Sequence, residues 1–318
     1  MSPLRALLLT FALAAPPVHA ELRVFVVSGL GGEPDYEHRF QQQAEAVGRA
    51  ASRAGAKQDS VVVLTGERAR LESLQREFAT FAGKVQKEDQ VAVVLIGHGA
   101  YDGQDYRFNL PGPDITGREI GALLNKLAAT QQLVVDATSA SGAMVEAWKR
   151  PNRIVITATK SGGERNATRF AQYWIEALSS AEADRDKNDI VTAEEAYEFA
   201  SRKVADAFKA DAALATEHSR IEGGNATGFV VARLGNAAVL PDDPALNALV
   251  KEQAGLEQQI EQVKGRKASL DREQYYNELE KVLITLAQLD RRIDERKATL
   301  LGTTRDTTAR DSDGSQKR

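Results

Sequence analysis

Hydrophobic positions fall along this chain in two alternating textures. Dense β-branched runs occur at Val24–Val27, Val61–Leu64, Val91–Ile96, Leu133–Asp136 and Ile154–Thr159. Short continuous runs of this kind suit strands buried on both faces, as in the middle of a parallel sheet. Between them the apolar residues recur every three or four positions, which predicts helices. These cover 37–54 (Phe40, Ala44, Val47, Ala51), 67–86 (Leu71, Leu74, Phe78, Phe81), 120–127, a start at 142–148, 168–179 (Phe170, Tyr173, Trp174, Ala177, Leu178) and 193–213. Thr116-Gly117-Arg118-Glu119 has the spacing of a capping box and opens the third of them. Tyr101–Asp114 is polar and carries Gly and Pro, so it reads as a loop. Gly228–Arg233 reads as a late edge strand. Strand–helix alternation of this length predicts an α/β/α layered domain with a mostly parallel sheet. Right-handed crossovers place the third and fourth strands side by side.

The pattern changes after Pro241–Pro244. Leu249, Gln253, Leu256, Ile260, Val263, Lys267 and Leu270 follow 4-3 spacing, and Leu279, Val282, Leu286, Leu289, Ile293 and Leu300 repeat it. Heptads interrupted near Gly265 and Ser269–Asp271 predict an antiparallel coiled-coil hairpin over 241–301. Such a hairpin either packs on its own domain or joins a partner or a second copy through residues 244–300. Residues 302–318 are polar and charged, which predicts a disordered tail.

The first residues predict a signal peptide over 1–20. Arg5 precedes the apolar run Ala6–Ala14, Pro16-Pro17 break it, and Val18-His19-Ala20 offers small residues before Glu21. The run is too short to span a bilayer, which takes roughly 20 apolar residues. No later run is long enough, so no integral membrane segment is expected after signal removal. The expectation is a secreted, periplasmic protein, with one α/β domain over 21–240. The chain has 318 residues and a net charge of −4, which gives no case for nucleic-acid binding. Gly29-Leu30-Gly31-Gly32-Glu33-Pro34 puts proline where a dinucleotide fingerprint needs glycine. No phosphate loop is present. No NAD, nucleotide or haem is expected.

Two strand ends carry candidate chemistry. Val91–Ile96 runs into Gly97-His98-Gly99, and Leu133–Asp136 runs into Ala137-Thr138-Ser139-Ala140-Ser141-Gly142. Open α/β sheets place their sites at these edges. An imidazole on one end and hydroxyls on the other suit a base and a nucleophile. Backbone N–H groups at the start of the following helix suit an oxyanion. Ser141 is placed to cap that helix.

A third constellation is Asp184-Arg185-Asp186-Lys187-Asn188-Asp189-Ile190-Val191-Thr192-Ala193-Glu194-Glu195. Asp184, Asp186, Asn188, the Ile190 carbonyl, Thr192 and Glu195 fall at the ligand positions of an EF-hand loop, so Ca2+ is the expected cofactor. Asp189 replaces the usual glycine of the sharp turn. Thr192–Glu195 also has capping-box spacing.

The paired strand ends resemble the caspase/legumain-like (clan CD) cysteine peptidases, and in particular their exported bacterial legumain-like branch with a C-terminal helical hairpin. Legumain-type enzymes carry Glu-Ala-Cys-Glu-Ser-Gly-Ser-Met after the strand. Ser141-Gly142-Ala143-Met144 aligns with its end, which puts Ser139 at the nucleophile. His98-Gly99 matches the general base and the glycine whose N–H holds the oxyanion. The resemblance covers residues 22–235 and implies a caspase-like three-layer fold acting on a polypeptide substrate or binding a protein partner. The chain has no cysteine. Serine is a poorer nucleophile than a thiolate and needs a well-oriented base, with Asp102 or Asp105 as candidates to orient it. The expectation is therefore a weakly active or inactive peptidase. The alternative is a non-catalytic, calcium-dependent binding scaffold that assembles through its coiled coil. A third reading is an α/β-hydrolase-type serine esterase, with Ser139 or Ser141 as nucleophile, Gly97-His98-Gly99 in the oxyanion loop and His218 as base. No Gly-x-Ser-x-Gly elbow is present for it.

Overall fold

The computed structural model describes residues 20–234, 243–267 and 269–313. All of the expected signal peptide except Ala20 lies outside the described residues. The core is a six-stranded sheet built from β1 (Leu22–Ser28), β2 (Val61–Leu64), β3 (Gln90–Ile96), β7 (Gln131–Asp136), β8 (Arg153–Thr157) and β10 (Arg220–Glu222). Its order is β10-β8-β7-β3-β1-β2, and every pairing is parallel except β10 with β8. β3 and β7 are neighbours, as the crossover rule requires.

Alternation along the strands divides the core in two. Val24, Val26, Ala92, Val94, Ile96, Leu133 and Val135 face α1 (Pro34–Arg53), α5 (Phe170–Ala177) and α6 (Ala193–Ala210). Phe25, Val27, Val91, Val93, Leu95 and Val134 face α2 (Leu71–Lys84), α3 (Gly117–Leu124) and α4 (Val145–Trp148). Full burial of each such side chain stabilises the fold by roughly 1.5–3 kcal/mol. α1 starts with Pro34 in its first turn, where a missing N–H costs nothing, and carries Asp35 and Glu37 there. The capping boxes at Thr116–Glu119 and Thr192–Glu195 are both formed.

Four expectations are corrected. The loop after His98 is partly ordered as a small antiparallel sheet of β4 (Gly99–Tyr101), β5 (Tyr106–Phe108) and β6 (Ile115–Thr116). Tyr106, Phe108 and Ile115 are buried, and they pull it down onto the α2/α3 face. The segment 228–233 does not edge the main sheet. Its β11 (Val230–Arg233) pairs with β9 (Ile190–Thr192), and the antiparallel edge belongs to β10. Ser141 does not cap a helix. The chain there makes a 3-10 turn over Ser141–Met144 before the short α4. Last, the helix begun at Arg272 runs to Asp313, through most of the segment expected to be disordered.

Helices α7 (Pro244–Gly265) and α8 (Arg272–Asp313) lie against each other. Leu246, Leu289 and Ile293 form their buried seam, joined by Leu249, Leu256 and Leu300. Contacts of Asp243 with Arg296, Gln253 with Asp290 and Arg266 with Glu278 run in opposite directions along the two helices, so the pair is antiparallel. On another side of α8, Tyr276, Leu283 and Ile284 remain about half exposed.

Gly142 shows how tightly the sheet edge is packed. A Cβ there would lie 2.2 Å from the Ser161 nitrogen and 2.3 Å from the Lys160 carbonyl carbon, both backbone. Gly142→Ala is expected to cost roughly 2 kcal/mol or more in urea unfolding. Gly163→Ala, whose Cβ meets only Ser161 Oγ at 3.4 Å, should change it by less than about 0.5 kcal/mol.

Candidate functional site

The register Leu95↔Asp136 makes β3 and β7 end level, so the segments after them meet. A Cβ on Gly99 would fall 2.3 Å from the Ser139 carbonyl oxygen and 2.6 Å from Thr138 Oγ1. Only glycine permits that approach. On the far side of β7, the loop after β8 closes on the same turn. Ala140, in a left-handed conformation (φ 56), donates its N–H to the Glu164 carbonyl at 2.7 Å. Thr168 Oγ1 donates to the Ala137 carbonyl at 2.6 Å.

Each predicted residue has a definite place. Ser139 is nearly buried, at 2% exposure, and its hydroxyl has no hydrogen-bond partner among the described residues. His98 is half-buried, edge-on to Tyr36 and Phe40 with ring centroids 4.9 and 5.1 Å away. Burial lowers its pKa, and hydrogen bonding to the Gly31 backbone offsets this in part. That environment favours the neutral imidazole, the form a base requires. No hydrogen bond joins His98 to Ser139 among the described residues. Apo sites commonly close such contacts only around a ligand. Asp102 and Asp105 do not orient His98. Asp102 accepts from the Gln104 and Asp105 nitrogens, and Asp105 pairs with Arg118 at 2.8 Å. Ser141 is fully buried and bound to Thr159, accepting from its N–H and sharing a hydroxyl contact, each at 3.2 Å. Its hydroxyl holds the loop, which leaves Ser139 as the candidate nucleophile.

Asp136 was not picked out by the sequence, because a strand-terminal aspartate carries no motif. It is fully buried. Oδ1 accepts from the Thr138 N–H at 3.2 Å, and Oδ2 has no hydrogen-bond partner among the described residues. Tyr106 and Thr138 share a 2.6 Å hydroxyl contact beside it, and Thr138 Oγ1 donates to the Ser139 carbonyl. Burial pushes the Asp136 carboxyl up to about 6, and the neighbouring polar groups of Thr138 and Tyr106 work the other way.

Orphaned polar atoms gather at this edge. Among the described residues, buried side-chain atoms without a partner are Ser28 Oγ, Gln43 Oε1, Asn109 Oδ1, Asp136 Oδ2 and Ser219 Oγ. Ser28 ends β1 beside Ile96, the Asn109 N–H bonds the His98 carbonyl, and Ser219 follows His218. Only Gln43, on α1, lies away from these strand ends. Buried unsatisfied groups are few in native proteins and need a reason where they cluster.

The acidic loop also forms. Asp184, Asp186 and Glu195 bring oxygens within 4.8 Å of one another and could hold a metal ion. Asp189, at the turn position, is left-handed with φ 64, as the missing glycine would be. Asn188 and Thr192 do not join the triad. Asn188 Oδ1 accepts from the Ile190 N–H, and the Thr192 hydroxyl serves the capping box with Glu195. Ile190 lies in β9, paired with Arg233. Glu257 of α7 comes against Asp186, a contact without any sequence signal because more than sixty residues separate them. Loss of water, followed by the charge of Glu195 and a hydrogen bond with Asp184, raises the Asp186 carboxyl.

No protein-family model and no curated protein matches this chain. Function therefore has to be read from the geometry.

The Asp136 carboxyl supplies a test of that geometry. Its pKa is higher folded than the ordinary 3.8, so its ionisation opposes folding as pH rises through about 6. Asp136→Asn removes the effect. The stability of wild type relative to the variant should therefore fall by about 2.5 kcal/mol between pH 4 and pH 8, read from urea midpoints. A difference that stays constant over this range would mean that Asp136 does not titrate in the fold.

Proposed function

We propose that this is an exported hydrolase of the caspase/legumain-like kind, a weakly active peptidase in which Ser139 stands in the thiol's place and His98 is its base. The observation that carries this reading is the concentration, among the described residues, of unpaired buried polar atoms at the sheet edge where the His98–Gly99 segment meets the turn of Ser139. The Gly99 N–H and the turn after Ser139 are the candidate oxyanion donors. Polypeptide is the proposed substrate class, by resemblance of the two motifs.

The reading predicts labelling of Ser139 by a fluorophosphonate probe in the mature protein, lost in Ser139→Ala and His98→Ala. Ser139→Cys should raise peptide cleavage over wild type, because a thiolate is reached far more easily near neutral pH. It would be the only thiol in the chain. No labelling of wild type together with no cleavage by Ser139→Cys would remove the catalytic reading.

A second reading is favoured by a separate observation. The acidic loop and the α7/α8 pair meet at Glu257 and at Lys297, whose ammonium donates to the Asn188 carbonyl. This arrangement suits a calcium-dependent binding scaffold, with Asp184, Asp186 and Glu195 as oxygen ligands and a coiled-coil pair presented to a protein partner or a second copy. Millimolar Ca2+ should raise the melting midpoint by roughly 5 °C, and Asp186→Asn should reduce that shift. A melting curve unchanged by Ca2+ would exclude calcium from this reading.

A further inference from the structure

The sheet edge holds a second imidazole that the proposed dyad does not use. His218 lies two residues before β10, and Arg220 of β10 pairs with Thr157 at the end of β8. It therefore sits at the same edge as Ser139, on the side of β7 away from β3 and His98. Its Nδ1 is 2.5 Å from Glu164 Oε1. Glu164 Oε2 accepts the backbone N–H groups of Lys160 at 2.9 Å and of His218 at 3.1 Å. Those hydrogen bonds hold the Glu164 carboxyl below its usual range, even though burial works the other way. The Glu164 carbonyl, in turn, takes the N–H of Ala140, the residue after Ser139.

This is a base-and-orienter arrangement. A carboxylate fixed by two backbone donors holds one ring nitrogen and leaves the other to exchange a proton. Nε2 has no partner among the described residues, and the His218 side chain is 46% exposed. Neighbouring strands lie about 4.8 Å apart, so β10 is roughly 10 Å from β7. A histidine side chain spans about half of that. The remaining gap fits a substrate amide bound at Ser139 better than a direct contact with the Ser139 hydroxyl.

We propose that His218, positioned by Glu164, is the acid that protonates the leaving nitrogen of an amide attacked by Ser139. This rests on Ser139 being the nucleophile. In acylation the Ser139 Oγ–carbon bond forms and the carbon–nitrogen bond breaks. The hydroxyl proton passes to His98, and the Nε2 proton of His218 passes to the departing amine. In deacylation water attacks the acyl carbon and gives its proton to His218. The acyl–oxygen bond breaks, and Ser139 recovers its proton from His98. Both imidazoles return to their starting states, and the net reaction is hydrolysis. The division of labour follows from placement: His98 stands on the β3 side of the nucleophile and His218 on the β8 side.

The test compares His218→Gln with the full-length wild type on three reagents. Peptide cleavage should fall by roughly 100-fold in kcat with little change in KM, the usual scale for a lost general acid. Fluorophosphonate labelling and the acylation burst of nitrophenolate from a p-nitrophenyl ester should stay within about twofold of wild type, because fluoride and nitrophenolate leave without a proton and neither readout includes deacylation. Glu164→Gln should lower peptide kcat in the same selective way. A purely structural ion pair would instead move all three reagents together, or none, and either result overturns the proposal. If wild type cleaves and labels but His218→Gln matches it on peptide, the His218 assignment fails and the Ser139 reading stands. If wild type neither labels nor cleaves peptide or ester, both fail.

Discussion

Parallel pairing of β3 with β7 holds the rest of the sheet edge in place. Six consecutive pairs, from Gln90↔Gln131 to Leu95↔Asp136, make both strands end at one level. A slip of one residue would turn Val91, Val93 and Leu95 from the α2/α3 face to the other face. Burial on both faces forbids this at a cost of several side chains' worth of transfer energy. The register in turn brings Gly99 against the Ser139 carbonyl and seals Asp136 beneath Tyr106 and Thr138. Small residues are needed at Gly99 and Gly142 because two other segments press on the turn from either side.

The two ends of the sheet treat buried polarity differently. At the N-terminal end, Arg23 pairs with Asp89 and Glu21 and reaches Ser60. Arg153 gives its donors to Gln132, Trp148 O, Leu124 O and Asn125. Those charges are satisfied and serve the fold. At the C-terminal end, Ser28, Asn109 and Asp136 keep buried atoms without a hydrogen-bond partner among the described residues. A fully buried group left unpaired costs about 1–3 kcal/mol. The same chain satisfies its buried guanidinium groups elsewhere, so loose packing in general does not explain the pattern.

Much of this arrangement was legible in the sequence, for a definite reason. Inner strands are apolar on both faces, so Val91–Ile96 and Leu133–Asp136 announce themselves and their neighbour relation follows from chirality. The capping boxes were equally plain, because they are local. What escaped notice was non-local or short. β10 has three residues, all partly exposed, and only its pairing with β8 makes it a strand. Asp136 becomes chemically distinctive through burial, and Glu257 through a docking that no spacing encodes. Expecting disorder after residue 301 weighed polarity alone. α8 instead continues to Asp313, well beyond its apolar seam against α7, although Thr, Asp and Gly there are poor helix formers.

The turn that carries Ser139 is packed unlike the rest of the domain, and this bears on the reading proposed for it. A scaffold that needed only the sheet could fill the edge with aliphatic side chains and a capped helix start. This edge instead keeps a buried carboxyl, a left-handed alanine and two imidazoles on either side of one hydroxyl. Each departs from the packing rule that holds elsewhere in the domain, and such departures belong to sites rather than to cores. Under the proposed reading, serine stands in the thiol's place while that surrounding is kept. The groups that would move protons about it, His98 above α1 and His218 beside Glu164, come from different strands and depend on the same register. The geometry is therefore more informative about the reaction than the identity of residue 139 alone.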